Sequence, residues 1–220
     1  MNTRTIKTAF VAASLAGLCL AAPVLAGNSP APGHSSAFGR SLAAWDDLYF
    51  RWTFGNITIA PDANGNAVVN GVVLLPLPNA PGDGTPASLD VTLNNGQPFT
   101  LPLWFLAGTS YTDGTPPDPV VDVNVFKTLD ITFKVDGVTV VNSANVMNYY
   151  SESAFTPPIP LEIFNIDSII WFESIAITHT PLPPGTHTLT LDAVNTQALP
   201  PNFGGGFANF HNTWNITVTR

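Results

Sequence analysis

The chain has 220 residues, 45% of them apolar and only 10% charged, with 7 Lys+Arg against 15 Asp+Glu for a net charge of -8. That balance excludes an intrinsically disordered chain, and 21 Pro with 17 Gly stay below the level of a low-complexity polymer. It also excludes a nucleic-acid partner, because phosphate binding needs a basic stripe that so few cations cannot build.

Residues 1–26 read as a secretory signal peptide. Arg4 and Lys7 precede an uncharged run from Thr8 to Leu25, and Val24-Leu25-Ala26 supplies the modest side chains of a cleavage site. The run is short for a bilayer and Pro23 interrupts it, so no membrane span is expected here, and no later stretch is apolar enough for one. Cys19, the single cysteine, falls inside this segment after Leu18, where a lipoprotein signal would place a smaller residue. The mature chain is therefore expected to lack thiols, disulfides and a lipid anchor of that type, and to be held by its core alone. Removing Arg4 and Lys7 from the 7 basic residues leaves 5 against 15 acids, a mature charge of -10. The expected location is periplasmic or secreted.

Residues 27–37 (GNSPAPGHSSA) read as a flexible leader, and residues 38–220 as one β-sandwich domain with an N-terminal helix. Ser41 is placed to cap that helix. Leu42, Trp45, Leu48, Tyr49 and Trp52 then recur at helical spacing, and Gly55 stands where a C-terminal cap belongs. Beyond Gly55, prolines leave no room for another long helix, and the remainder reads as about nine strands, mostly antiparallel. Ala67 to Leu75 is one strand. SLDVTL-NNG-QPFTLPLWFL reads as a hairpin turning at Asn94 to Gly96, and Val120 to Phe126 as a further strand. TLDITFKV-DG-VTVVN is the clearest hairpin, with Asp136-Gly137 as a type I′ turn. Ser168 to Thr178, Thr186 to Val194 and Thr213 to Thr219 complete an all-β, antiparallel β-sandwich, jelly-roll or Ig-like.

Asp113, Asp118 and Asp122 share one Pro-stiffened loop (YTDGTPPDPVVD), where hard oxygen ligands could assemble a calcium site. The competing and preferred reading is a solvated turn in which Asp113-Gly114 caps a strand end. His187 alternates with Leu189, Leu191 and Ala193, so it is expected to point inward as a hydrogen-bonded core histidine; a zinc site would need His179 and His211 to approach it across the fold. Glu152, Glu162 and Glu173 offer a carboxylate pair for glycoside chemistry, at a separation that spacing does not define. Tyr149 and Tyr150, with Trp171 or Trp214, are candidates for a sugar-stacking platform, against a core role for Trp104, Trp171 and Trp214.

Three segments in order, GRSLAAWDDLYFRWTFG, WFLAGTSYTDG and PLPPGTHTLTLDA, together with VDGVTVVN and NYYSESAF, resemble a widespread group of uncharacterised secreted bacterial proteins. The shared features are a Gly-x-Ser-x-x-x-Trp opening, a Phe-Leu-Ala-Gly segment and a Pro-Leu-x-Pro-Gly-x-His-Thr close. This chain departs from the group in Tyr49-Phe50, where a Trp pair is common, and in lacking the cysteines of many members. The resemblance implies export and a β-sandwich, and no activity. From the residues, the expected function is a glycan- or envelope-binding or structural module. The alternative is a polysaccharide hydrolase or lyase using a carboxylate pair or His with Tyr.

Overall fold

The computed structural model describes residues 30–31, 36–203 and 205–220, with the side chain of Glu162 excepted. The expected signal peptide and most of the leader lie outside the described residues. Among the described residues, α1 (Leu42–Thr53) is followed by ten strands in two five-stranded sheets. The strands are β1 (Ala67–Val69), β2 (Val72–Leu74), β3 (Asp83–Leu93), β4 (Phe99–Tyr111), β5 (Leu129–Val135), β6 (Val138–Asn142), β7 (Tyr150–Ile163), β8 (Ile166–His179), β9 (Gly185–Asn195) and β10 (Asn209–Val218). A short helix, α2 (Asn124–Lys127), precedes β5. One sheet has the order β1-β2-β4-β8-β7 and the other β3-β10-β9-β5-β6. All neighbours run antiparallel except β2 with β4 and β3 with β10.

The two sheets differ in pattern because they differ in burial. The second sheet meets the first with one face, so its strands alternate: Leu129, Ile131, Phe133 and Val135 of β5 and Leu189, Leu191 and Ala193 of β9 are buried. The first sheet is covered on both faces, by the second sheet and by α1, and β8 accordingly reads as a nearly continuous apolar run. Phe99, Leu101, Trp104, Ile175 and Ile177 fill the space between the sheets. Trp45, Tyr49, Phe50, Phe155, Ile169 and Phe172 form a second core beneath α1.

Helix α1 begins as its sequence dictates, with the Ser41 hydroxyl accepting from the Ala44 amide at 3.2 Å. Its buried stripe is Leu42, Trp45, Asp46, Tyr49 and Phe50, rotated from the expected one, so that Leu48 and Trp52 lie half-buried at its border. Trp45 donates to the Ala37 carbonyl at 2.9 Å and Tyr49 to the Leu75 carbonyl at 2.7 Å.

Three expectations need correction. Ala67 to Leu75 is two strands, because Asn70 and Gly71 both adopt positive φ, 50° and 81°, and turn the chain back as a tight hairpin. The segment around Asn94 to Gly96 is no hairpin. It carries the chain from the second sheet to the first, so Val91 and Leu93 face Phe99 and Leu101 across the core instead of pairing beside them. Residues 120–126 form a loop and α2, whose first turn is held by Asp122 Oδ1 accepting from the Asn124 amide at 2.9 Å; Val121, Val125 and Phe126 are buried at helical spacing. A strand that was not singled out is β7, residues 150–163, which forms despite Pro157, Pro158 and Pro160. β7 lies at the sheet edge, and its pairing with β8 is interrupted between Ala154 and Ile159, where Pro157 and Pro158 fall.

Candidate functional site

Strands β7 and β8 place Glu152 directly opposite Glu173 in the ladder. Two like charges so placed repel, and the structure sets a hydroxyl between them. Tyr150 lies two residues before Glu152 and therefore on the same face. Its hydroxyl is 2.5 Å from Glu152 Oε2 and 2.8 Å from Glu173 Oε1. The ring is fixed edge-on against Phe126 of α2, with centroids 5.2 Å apart. Glu173 is almost fully buried, and its other oxygen accepts the Val121 amide at 3.0 Å. Burial pushes its carboxyl above the usual range, more strongly than the Tyr150 and Val121 hydrogen bonds hold it down, with the charges of Glu152 and Asp122 adding to the rise. Burial and the two carboxylates also push the Tyr150 hydroxyl up, so it stays protonated. A phenol has one proton to give, so both contacts are satisfied together when one glutamate carries a proton and donates it to the tyrosine oxygen. The raised group is Glu173.

The two glutamates that the Tyr150 hydroxyl joins help to line a pocket of about 270 Å³, together with Val120, Ser153, Ala154, Trp171 and Phe172. No cation lines it. Its roof is the loop bearing Val120, and Asp118 pins that loop. Oδ2 accepts from the Thr109 amide and hydroxyl at 2.9 and 2.8 Å, and Oδ1 from Tyr111 and Asn202, both at 3.0 Å. The Asp118 carbonyl accepts from Trp171 Nε1 at 2.9 Å. Burial alone would raise the Asp118 carboxyl, but the bonds from Asn202, Thr109 and Tyr111 together hold it below its ordinary value. Trp171 in turn lies across Gly108 of β4, where an added Cβ would sit 2.0 Å from Trp171 Cε2. The glycine of the Phe-Leu-Ala-Gly segment is what lets that indole lie flat on its neighbour strand.

The predicted site residues thus divide. Tyr150 sits at the centre of the cluster. Trp171 borders the pocket at 6% exposure, its ring packed with the core and against Phe203. Trp104 and Trp214 are buried as well. Tyr149 is half-buried against the core, and burial raises its hydroxyl. Asp113, Asp118 and Asp122 make separate contacts: Asp113 accepts from the Thr115 amide and Asn165, Asp122 from the Asn124 amide, and Asp118 holds the roof. Among the described residues, no three His, Cys, Asp or Glu side chains are grouped to hold a metal ion. His179 stacks on Phe99, centroids 5.0 Å apart, and His211 faces Asp192. His187 lies on the same side of β9 as Leu189, with Nδ1 facing Asp136 Oδ2 at 2.7 Å and Nε2 facing the Pro183 carbonyl at 2.8 Å. It is part-buried rather than in the core, because it stands at the start of the strand, and it joins the turn before β9 to the β5–β6 turn.

The pairing of Glu152 with Glu173 was present in the sequence only as one of several possible pairs; the signal that selects it is the same-face spacing of Tyr150 and Glu152. A further group was missed altogether. Asp46 of α1 is fully buried and accepts hydrogen bonds from Ser151 of β7 and Ser174 of β8. Burial pushes its carboxyl up to about 7 against the pull of both serines. No known protein-family model matches the chain, and no functionally described protein matches it.

Proposed function

We propose that the protein is an exported, non-enzymatic β-sandwich module that binds a neutral glycan in the cleft beneath Val120. The observation that carries this reading is the Tyr150 hydroxyl held between Glu152 and Glu173 under a roof that Asp118 pins in place. Sugar hydroxyls need fixed acceptors, and an exposed Glu152 at the mouth supplies one without first having to be ordered. With carboxylates and no cation lining the cleft, an anionic polysaccharide would be repelled. Export, to the periplasm or beyond, rests on residues 1–26 and on the resemblance to secreted proteins. The test is a glycan array probed with the mature protein, followed by titration of the best neutral glycan. Glu152→Gln and Tyr150→Phe should each weaken binding at least tenfold while the fold melts cooperatively. Unweakened binding in both folded variants, or an array that lights only with polyuronates, removes the cleft as the site.

One observation favours a second, catalytic reading: Glu173, its carboxyl raised by burial, sits across a hydroxyl from the exposed Glu152, so two carboxyls in unlike environments face each other as an acid–base pair requires. Release of reducing ends from a neutral polysaccharide, abolished by Glu152→Gln with binding retained, would establish it over the first.

A further inference from the structure

A second concave site lies between the sheets and shares no lining residue with the glutamate cleft. The segment after β2, the middle of β4 and the start of β10 enclose about 310 Å³. Leu77, Leu103, Trp104 and Phe210 wall it, and among the described residues no charged one lines it. Asn212 belongs to the same wall. On β10 it falls between Phe210 and the fully buried Trp214, opposite Leu191 of β9, a position that the alternation of the strand reserves for an apolar side chain. It is 7% exposed, and its Oδ1 is buried without a hydrogen-bond partner. A buried amide left unpaired is costly, so an asparagine there points to a group it is meant to meet.

We propose that this pocket binds a small, neutral aromatic molecule bearing one hydroxyl group, which hydrogen-bonds to the Asn212 amide. Apolar and aromatic walls take up the ring, and the absence of charge excludes ionic ligands. The hydroxyl both donates and accepts, so it satisfies the amide in either orientation. A sugar does not fit this chemistry, since most of its hydroxyls would lose water and gain no partner. The volume lies at the small end of ligand sites, enough for one or two rings.

The experiment titrates the purified protein calorimetrically with p-cresol and with toluene, which differ by the hydroxyl alone. The wild type should bind p-cresol about tenfold more tightly than toluene or better, the discrimination expected of a buried hydrogen bond. Asn212→Leu, which replaces an unpaired amide with an apolar side chain of similar size, should melt no lower than the wild type and bind the two compounds equally. Ala80→Trp, which places a large ring at the loop side of the pocket, should melt normally and bind neither. The proposal is overturned if the wild type binds no p-cresol or does not prefer it, if the preference persists in folded Asn212→Leu, or if Ala80→Trp binds p-cresol as the wild type does.

Discussion

Replacing Asp46 by Asn should make the protein more stable at alkaline pH and remove an inverted pH dependence. Asp46 is fully buried beneath α1, where Ser151 and Ser174 donate to Oδ2 and Oδ1 has no partner. Its carboxyl stands at about 7 in the folded chain against an ordinary 3.8, burial being the main cause and the serine hydrogen bonds opposing it. Between those values the folded state holds a proton that the unfolded state has released, so stability falls as pH rises from about 4 to about 7 and is level above. At 1.36 kcal/mol per pH unit the interval corresponds to about 4 kcal/mol. Asn keeps the shape and the acceptor oxygen and cannot ionise. The variant should therefore match the wild type within about 1 kcal/mol at pH 5 and exceed it by about 3 kcal/mol at pH 8, which for a chain of this size raises Tm by roughly 5–10 °C. Below pH 4 the slope reverses, because Asp62, Asp83, Asp113 and Asp118 are held below their ordinary values by hydrogen bonds and their contribution is lost on protonation. Calorimetric melts of both proteins from pH 4.5 to 8.5 decide the matter. A wild type that gains stability between pH 5 and pH 8, with Asp46→Asn following in parallel, would refute a protonated Asp46.

Trp45→Ala removes a fully buried indole that also donates to Ala37, and should cost roughly 3–5 kcal/mol; Trp52→Ala, at the half-buried border of the stripe, should cost less than half of that, both read from urea midpoints. Gly108→Ala drives a methyl into Trp171 and should cost at least about 2 kcal/mol while shifting the tryptophan emission, since the indole must leave its bond to Asp118; an unchanged melt would show that the strands part more easily than their packing implies. His187→Leu unties the turn before β9 from Asp136 and should destabilise by roughly 1–3 kcal/mol while leaving glycan and p-cresol binding intact in the folded fraction. Loss of either ligand at an unchanged Tm would instead place His187 in a site.

What the sequence by itself determined is whatever depends on neighbours along the chain. Helix α1 follows from a capping serine, a 3.6-residue aromatic period and a terminal glycine; the β5–β6 hairpin follows from strict alternation around Asp136-Gly137, both of which adopt positive φ. His187 was legible for the same reason, because alternation along one strand decides which way a side chain points. Which elements meet is decided by packing between distant segments, and there the sequence was silent or misleading. The apolar ends of β3 and β4 satisfy a hairpin and a crossing between sheets equally well, and only the demand of both sheets for a filled interior selects the crossing. Pro157 and Pro158 argue against a strand until the sheet supplies an edge and an interrupted ladder to hold them. The glutamate pair, the Asp118 anchor and the buried Asp46 each join residues far apart in the chain, and distant segments surround the unpartnered Asn212 oxygen; their chemistry depends on a local absence of water that no sequence pattern records but that two stacked sheets and a docked helix create.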